Sequence, residues 1–332
     1  MGEVFGGDYP HDADLRLTTS YADLDAHQKT ILSDDFGMGV PMVWLMKHLP
    51  LVEIVDGRYF LQRYGASHGA HQHRTAKRGP NKTPDFVARD RNGNWHIMEC
   101  KGTQSGQAFR NRQIDLGISQ KLSIMFPPKH TGQRLVSGLS IGIEDGNPSH
   151  LRIIDPITDD PVIIAESELE FAKDAATRGV MAKLLRSTGF EIAAEAVAAP
   201  FGKPQAMPPS TRKADKKRVE YLADRDRRAR KELQEDTSRR RLFDNRYRGR
   251  EVTLQLPRPI YIHGSEISEV TVRQGINLDA LDLLRERPTI ETLVDPSRNN
   301  WIDMMGANVI HDDEKTATLQ IGDIFRSQLI LE

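Results

Sequence analysis

The chain has 332 residues, 38% hydrophobic and 28% charged, with a formal net charge of -1. That length holds two domains, or one domain with appendages, and the near-neutral balance points to no partner by bulk charge. One cysteine, Cys100, excludes a disulfide framework and a cysteine-rich zinc site. No apolar run approaches the twenty or so residues of a membrane span, and the start lacks a charged-then-apolar leader pattern. A soluble, cytoplasmic protein with no membrane partner is expected.

Residues 1–20 read as a loose lead-in with Gly6-Gly7 and Pro10. A short helix is expected over 21–33 and a second over Val40–Leu49, where Val43, Leu45, Met46 and Leu49 give a rough apolar face. Leu51–Val55 and Arg58–Arg63 read as strands around Asp56-Gly57, a hairpin signal. Residues 21–64 therefore open an α/β core, or form a winged helix-turn-helix with the hairpin as wing. The helix carries few cations to meet phosphate, which favours the core. The loop at 64–83 gathers His68, His71, His73, Arg74, Lys77, Arg78 and Lys82. These are seven potential cations for phosphate contact. A transition-metal role for His71 and His73, or a purely solvated loop, are the alternatives.

The stretch Thr83–Lys101 carries the chemistry. Asn92-Gly93 between apolar-rich runs is a strong hairpin signal. Period-two alternation puts Trp95, Ile97, Glu99 and Lys101 on one face of the second strand, at the end of a run that should be buried. A buried carboxylate beside a buried ammonium is costly unless they pair or serve a metal. With Asp85 on the first strand, the set is two hard oxygen ligands and a cation, suited to Mg2+ or Mn2+ acting on phosphate. A strict two-residue turn would place Asp85 opposite Cys100, on the wrong face. A three-residue loop, Asn92-Gly93-Asn94, with a left-handed glycine and a bulge is therefore expected.

Further on, 107–125 reads as a helix stopped by Pro127-Pro128, with Ile114, Ile118, Leu122 and Met125 on one face. Leu135–Ile143 and Leu151–Ile154 follow as strands, and 166–198 reads as helical core cover. Pro200–Pro209 is a linker. Residues 201–250 hold seventeen Lys plus Arg against eight Asp plus Glu, a net of +9, so the remainder carries -10. Arg239, Arg240 and Arg241 sit in this run. A basic helical arm on nucleic acid competes with a charged spacer helix held by i,i+4 pairs. Short strands at Glu251–Leu256, Ile260–His263 and Glu269–Val272, a helix at Leu278–Arg287, and strands at Ile290–Leu293 and Thr316–Ile321 make a small α+β unit.

Pro84-Asp85, thirteen residues, then Glu99-Cys100-Lys101 resembles the signature of the PD-(D/E)XK nuclease superfamily. The resemblance covers roughly residues 36–155. It implies a restriction-endonuclease-like core, α-β-β-β-α-β, with a mixed sheet flanked by helices. It implies Asp85 and Glu99 as ligands of Mg2+ (or Mn2+), with the Cys100 backbone carbonyl added, and Lys101 as the group that positions or helps deprotonate the attacking water. Glu53, with Asp35 behind it, is the candidate extra acid; Gln113 or Gln120 is the candidate helix glutamine. The tyrosine that follows such a glutamine in RecB-like members is replaced by Gly117. The expected organisation is a lead-in and helix at 1–35, a nuclease-like domain at 36–199, a linker and basic arm at 200–250, and an α+β domain at 251–332. The expected activity is metal-dependent cleavage of nucleic acid, DNA favoured over RNA, as in restriction or anti-phage defence. A homo-oligomer or partner subunit would use the C-terminal region. The competing class is a catalytically silent, nuclease-like binding or assembly subunit.

Overall fold

The structure is a computed structural model describing residues 15–18, 21, 23–68, 83–120, 124–143, 146–156, 162–198, 212–234, 239–262, 264–286, 303–306, 308–313 and 315–332. Its elements are β1 (Arg16–Leu17), α1 (Ala26–His48), β2 (Leu51–Asp56), α2 (Gly57–His68), β3 (Phe86–Asp90), β4 (Trp95–Thr103), α3 (Gln107–Gln120), β5 (Ile124–Met125), β6 (Thr131–Ser140), β7 (Gly142–Ile143), β8 (His150–Ile154) and β9 (Val162–Ile163). There follow α4 (Leu169–Ser187), α5 (Glu191–Ala198), α6 (Arg212–Gln234), β10 (Arg240–Leu242), β11 (Tyr247–Ile262), β12 (Ser265–Asn277), α7 (Leu278–Glu286), β13 (Asn308–Asp312), β14 (Thr316–Ile321) and β15 (Phe325–Leu331). The protein is mixed α/β. One sheet has the order β2-β3-β4-β6-β8, with β4 and β6 parallel and β8 antiparallel to β6. A second, antiparallel, has the order β10-β11-β12-β15-β14-β13. Among the described residues no helix is long and apolar enough to cross a membrane. Contacts divide the chain into two units, residues 1–49, 82–86 and 95–163, and residues 50–81, 87–94 and 164–332.

In the first unit α1 is one continuous helix where the sequence suggested two. Asp25 caps it, accepting from the His27 and Gln28 N–H groups, while the Gln28 side chain accepts from the Asp25 N–H. Pro41 lies inside it. A proline there removes the bond to the Gly37 carbonyl and costs about 3 kcal/mol in an isolated helix. Burial of Pro41, Met42 and Leu45 offsets that cost. Gly37 sits directly on β4: a Cβ added there would stand 2.5 Å from the Gly102 Cα. The glycines let helix and strand backbones touch. On the other face of β4 lies α3, since a Cβ on Gly117 would meet Val136, Lys101 and Glu99 at 3.4, 3.6 and 3.8 Å. The helix α3 ends at Gln120 rather than at 125, and Ile124–Met125 pairs with β9 instead.

In the second unit the expected strand at Arg58–Arg63 is helical. The Asp56 carboxylate accepts the Tyr59 N–H at 2.7 Å, so Asp56-Gly57 opens α2 rather than turning a hairpin. The wing of the winged-helix alternative is thereby lost. Gly189, at φ 90°, breaks the expected long helix into α4 and α5. Leu185, Phe190, Ala194, Leu233, Leu281, Leu284 and Ile276 form a core with no measurable exposure. Each large apolar side chain in it contributes about 1.5–3 kcal/mol. The basic arm is helical over Arg212–Gln234. Beyond Arg239 it becomes the β10–β11 hairpin, whose chain reverses through Phe243, Asp244 and Asn245 at φ 51°, 60° and 62°. The short strands expected after 251 are two long ones, β11 and β12, turned at Gly264. Their register breaks between Gln255 and Ile260, around Pro257 and Pro259. The strand β10 covers β11 only at Tyr247–Gly249. Ile290–Leu293 and the linker at 201–211 lie outside the described residues.

Candidate active site

The hairpin decides which face Asp85 takes. Its loop has three residues, one step earlier than expected: Arg91-Asn92-Gly93. The Gly93 N–H donates to the Asp90 carbonyl at 3.1 Å, and the Asp90 N–H to the Asn94 carbonyl at 2.9 Å. Gly93 is left-handed at φ 83°, the position a glycine bulge requires. The Asp90 carboxylate locks the turn, accepting from the Asn94 N–H at 2.7 Å and its side-chain amide at 2.9 Å. Counted outward in step from the Asp90–Asn94 pair, Asp85 falls level with Glu99 and so on its face.

Asp85 stands just ahead of β3, half-buried behind a buried Pro84. Its Oδ2 accepts the Cys100 N–H at 2.7 Å. On β4 the Lys101 Nζ donates to Glu99 Oε1 at 2.7 Å. The Glu99 side chain is 11% exposed and that of Lys101 28%, so the pair lies at the rim of the covered sheet face. Burial alone would push the Lys101 ammonium below its ordinary value. The Glu99 hydrogen bond and the charges of Glu99 and Asp85 outweigh burial and hold it above. Lys101 is therefore a fixed cation, ill suited to take up a proton near neutrality. Burial also pushes the Cys100 thiol up to about 12, so the thiol stays protonated and inert. Only its backbone is available to the site.

Glu53 is elsewhere employed. It is 1% exposed, and its two oxygens accept from Arg89 Nε at 2.6 Å and from the Thr177 hydroxyl. Both carboxylate oxygens are thus engaged in a closed contact with Arg89 and Thr177. Asp35 is exposed on α1. Gln113 lies one turn before Gly117 on α3, and its Oε1 is buried with no hydrogen-bond donor among the described residues. The side chain of Gln120 lies outside the described residues, as do His71, His73, Arg74, Lys77, Arg78 and Lys82. Among the described residues no three His, Cys, Asp or Glu side chains gather in a way that could hold a metal.

The three arginines of the arm have separate fates. Arg239 donates to the Gly189 carbonyl at 2.7 Å and to Glu232 at 3.2 Å, and lies 4.2 Å over the Phe190 ring. It is a structural staple. Arg240 pairs with Glu251 at 2.9 Å while largely exposed, and Arg241 is exposed. On α6 the later arginines pair with acids, Arg227 and Arg228 with Asp224 and Arg230 with Asp226.

A second polar group escaped the sequence reading. Arg110 and Arg152 both donate to the Asn111 Oδ1 on the α3 side of the sheet. A signal was present: Arg110 shares the i, i+4, i+7 stripe of Ile114 and Gly117, and a cation on the buried face of a helix needs a reason.

No family model, no curated protein and no solved structure matches the chain.

Proposed function

We propose that the chain is a metal-dependent nuclease of the PD-(D/E)XK kind. The observation that carries this is the convergence on one sheet face of a 2.7 Å Glu99–Lys101 pair and an Asp85 carboxylate clasped to the Cys100 N–H. The topology supports it. Strands β2, β3, β4, β6 and β8 lie in chain order in the sheet, α1 precedes them, and α3 falls between the parallel pair β4 and β6. The helix α2 is then an insertion in an α-β-β-β-α-β core.

The donor set fits a small hard cation. Asp85 and Glu99 supply two carboxylates, the number Mg2+ commonly takes from protein, and the remaining positions are left to water and substrate. The unsatisfied Gln113 oxygen is a further hard donor on the helix above. When bound, the ion would supply Lewis acidity at the scissile phosphate. The residues do the rest. The Cys100 N–H fixes the Asp85 carboxylate, so no side-chain reorganisation is needed there. Lys101, kept protonated, presents positive charge where the phosphate gains negative charge, and such preorganised groups typically contribute a hundredfold or more. Gly117 leaves the space beside Lys101 open, since a helix residue with a side chain would fill it.

The test is cleavage of plasmid and of single- and double-stranded DNA and RNA, with Mg2+ or with chelator. Asp85→Asn retains an oxygen to accept the Cys100 N–H, so it should fold as the wild type and lose cleavage by a hundredfold or more. Magnesium-independent cleavage, or full activity in Asp85→Asn, would end this reading.

A further inference from the structure

The sheet face that carries Lys101 continues beyond it. Lys101 pairs with Gly138 on β6, and Gly138 with Arg152 on β8. Over Gly138 stands α3, for a Cβ there would meet Ile114 at 2.7 Å and Arg110 at 2.8 Å. Arg110 donates through Nη2 and Nε to Asn111 Oδ1 at 2.9 and 3.2 Å, and through Nη1 to the His150 carbonyl at 3.4 Å. Arg152 Nη1 donates to the same Asn111 oxygen at 3.2 Å. Two guanidiniums thus converge on one neutral oxygen, and neither has a carboxylate partner among the described residues. Arg110 is only 6% exposed. Burial, and then the charge of Arg152, push its pKa down. Like charges held together away from water repel, and an oxyanion between them would reverse the sign of that interaction. The guanidinium fork matches phosphate geometry.

We propose that Arg110 and Arg152 form a phosphate-binding site beside the catalytic face. On the nuclease reading, its occupant is a phosphate of the strand being cut. Lys101 and Arg152 lie two strands apart in the sheet, roughly 10 Å. That is within a few nucleotides along one nucleic-acid strand, at 3.4 Å of rise each. The group bound is either a terminal phosphate monoester or an internal diester, and the chemistry of recognition is the same.

Inorganic phosphate, in metal-free buffer matched in ionic strength with chloride, should raise the melting temperature of the wild type and leave that of Arg152→Gln unmoved. In chloride alone Arg152→Gln should melt at or above the wild-type temperature, because it relieves repulsion. A residue that merely supports Asn111 predicts a lower one. Arg110→Gln should behave likewise; if its burial prevents folding, Arg152→Gln decides. With short oligonucleotides Arg152→Gln should raise KM about tenfold, the loss of one charged hydrogen bond, and change kcat less than twofold. A rise confined to 5′-phosphorylated substrate assigns the monoester; an equal rise on 5′-hydroxyl substrate assigns the diester. A wild-type melting temperature indifferent to phosphate, or a rise preserved in Arg152→Gln, overturns the site. The phosphate readout needs neither metal nor cleavage, so a chain that binds phosphate and never cuts refutes the nuclease reading alone.

Discussion

Replacing Lys101 with alanine removes an ammonium 2.7 Å from Glu99 Oε1 and leaves that carboxylate, 11% exposed, facing the underside of α3. A hydrogen bond to a charged group contributes about 1.5–3 kcal/mol, and stranding one member of a fully buried pair costs about 3–5 kcal/mol. Lys101 is 28% exposed, so water can enter the space it vacates and the higher range does not apply. The expected cost to the metal-free protein is about 2 kcal/mol. Urea unfolding followed by circular dichroism, in chelator, measures it directly. The same substitution in a Glu99→Gln background strands no charge and should cost less than about 0.5 kcal/mol, which makes the coupling readable as a double-mutant cycle. Millimolar Mg2+ should narrow the gap between Lys101→Ala and wild type, because a cation at Glu99 takes over the neutralisation. A Lys101→Ala protein as stable as wild type, or an equal cost in both backgrounds, would show that the pair is not the partly buried charge contact described.

Three other outcomes are expected. The Lys101 pKa is raised on folding, so the stability it brings is fully present below the ordinary lysine value of 10.5 and is lost as pH climbs through the higher folded value. The difference between wild type and Lys101→Ala in pH-dependent unfolding should therefore be flat near neutrality and shrink only in strong alkali. Glu53→Gln opens the Arg89–Glu53–Thr177 contact and should destabilise by about 3 kcal/mol or more, while cleavage per folded molecule is retained; lost cleavage with unchanged stability would restore Glu53 as a ligand. On the arm, Lys213, Lys216 and Lys217 are exposed on α6. Replacing all three with alanine should flatten the slope of log affinity against log salt by up to about three units, whereas Arg239→Ala should lower the melting temperature through its contacts with Gly189 and Glu232; an unchanged slope in the triple variant would favour a spacer role.

Local signals were legible where the chain acts locally. The alternation of β4, the strand before it and the helix after it follow from period and turn residues. So does the need for an odd loop, since only a third residue brings Asp85 round to the face of Glu99. The loop fell one residue early because Asp90 supplies a carboxylate that caps the Asn94 N–H, a contact no propensity scale contains. Asp56-Gly57 misled because the same dipeptide can turn a hairpin or cap a helix, and burial of Phe60, Leu61 and Tyr64 at helical spacing chose the cap. The helices expected over 21–33 and Val40–Leu49 are one because packing of α1 on β4 makes the continuous helix, with Pro41 inside it, the lower state. The fates of the arginines were not legible at all. Whether Arg239 meets phosphate or the Gly189 carbonyl depends on a residue fifty positions away.

The long strand β11 has a consequence for handling and for life at high concentration. Past Gly249, among the described residues, only β12 lies beside it, so its outer N–H and C=O groups form a template on which a second chain can add. Val252, Leu254, Ile260 and Tyr261 there are about half exposed or more, a tempting surface for misassembly. Pro257 and Pro259 stand where the register slips, and each removes a donor from the strand. They act as gatekeepers, keeping a ribbon of that length from becoming the seed of a fibre.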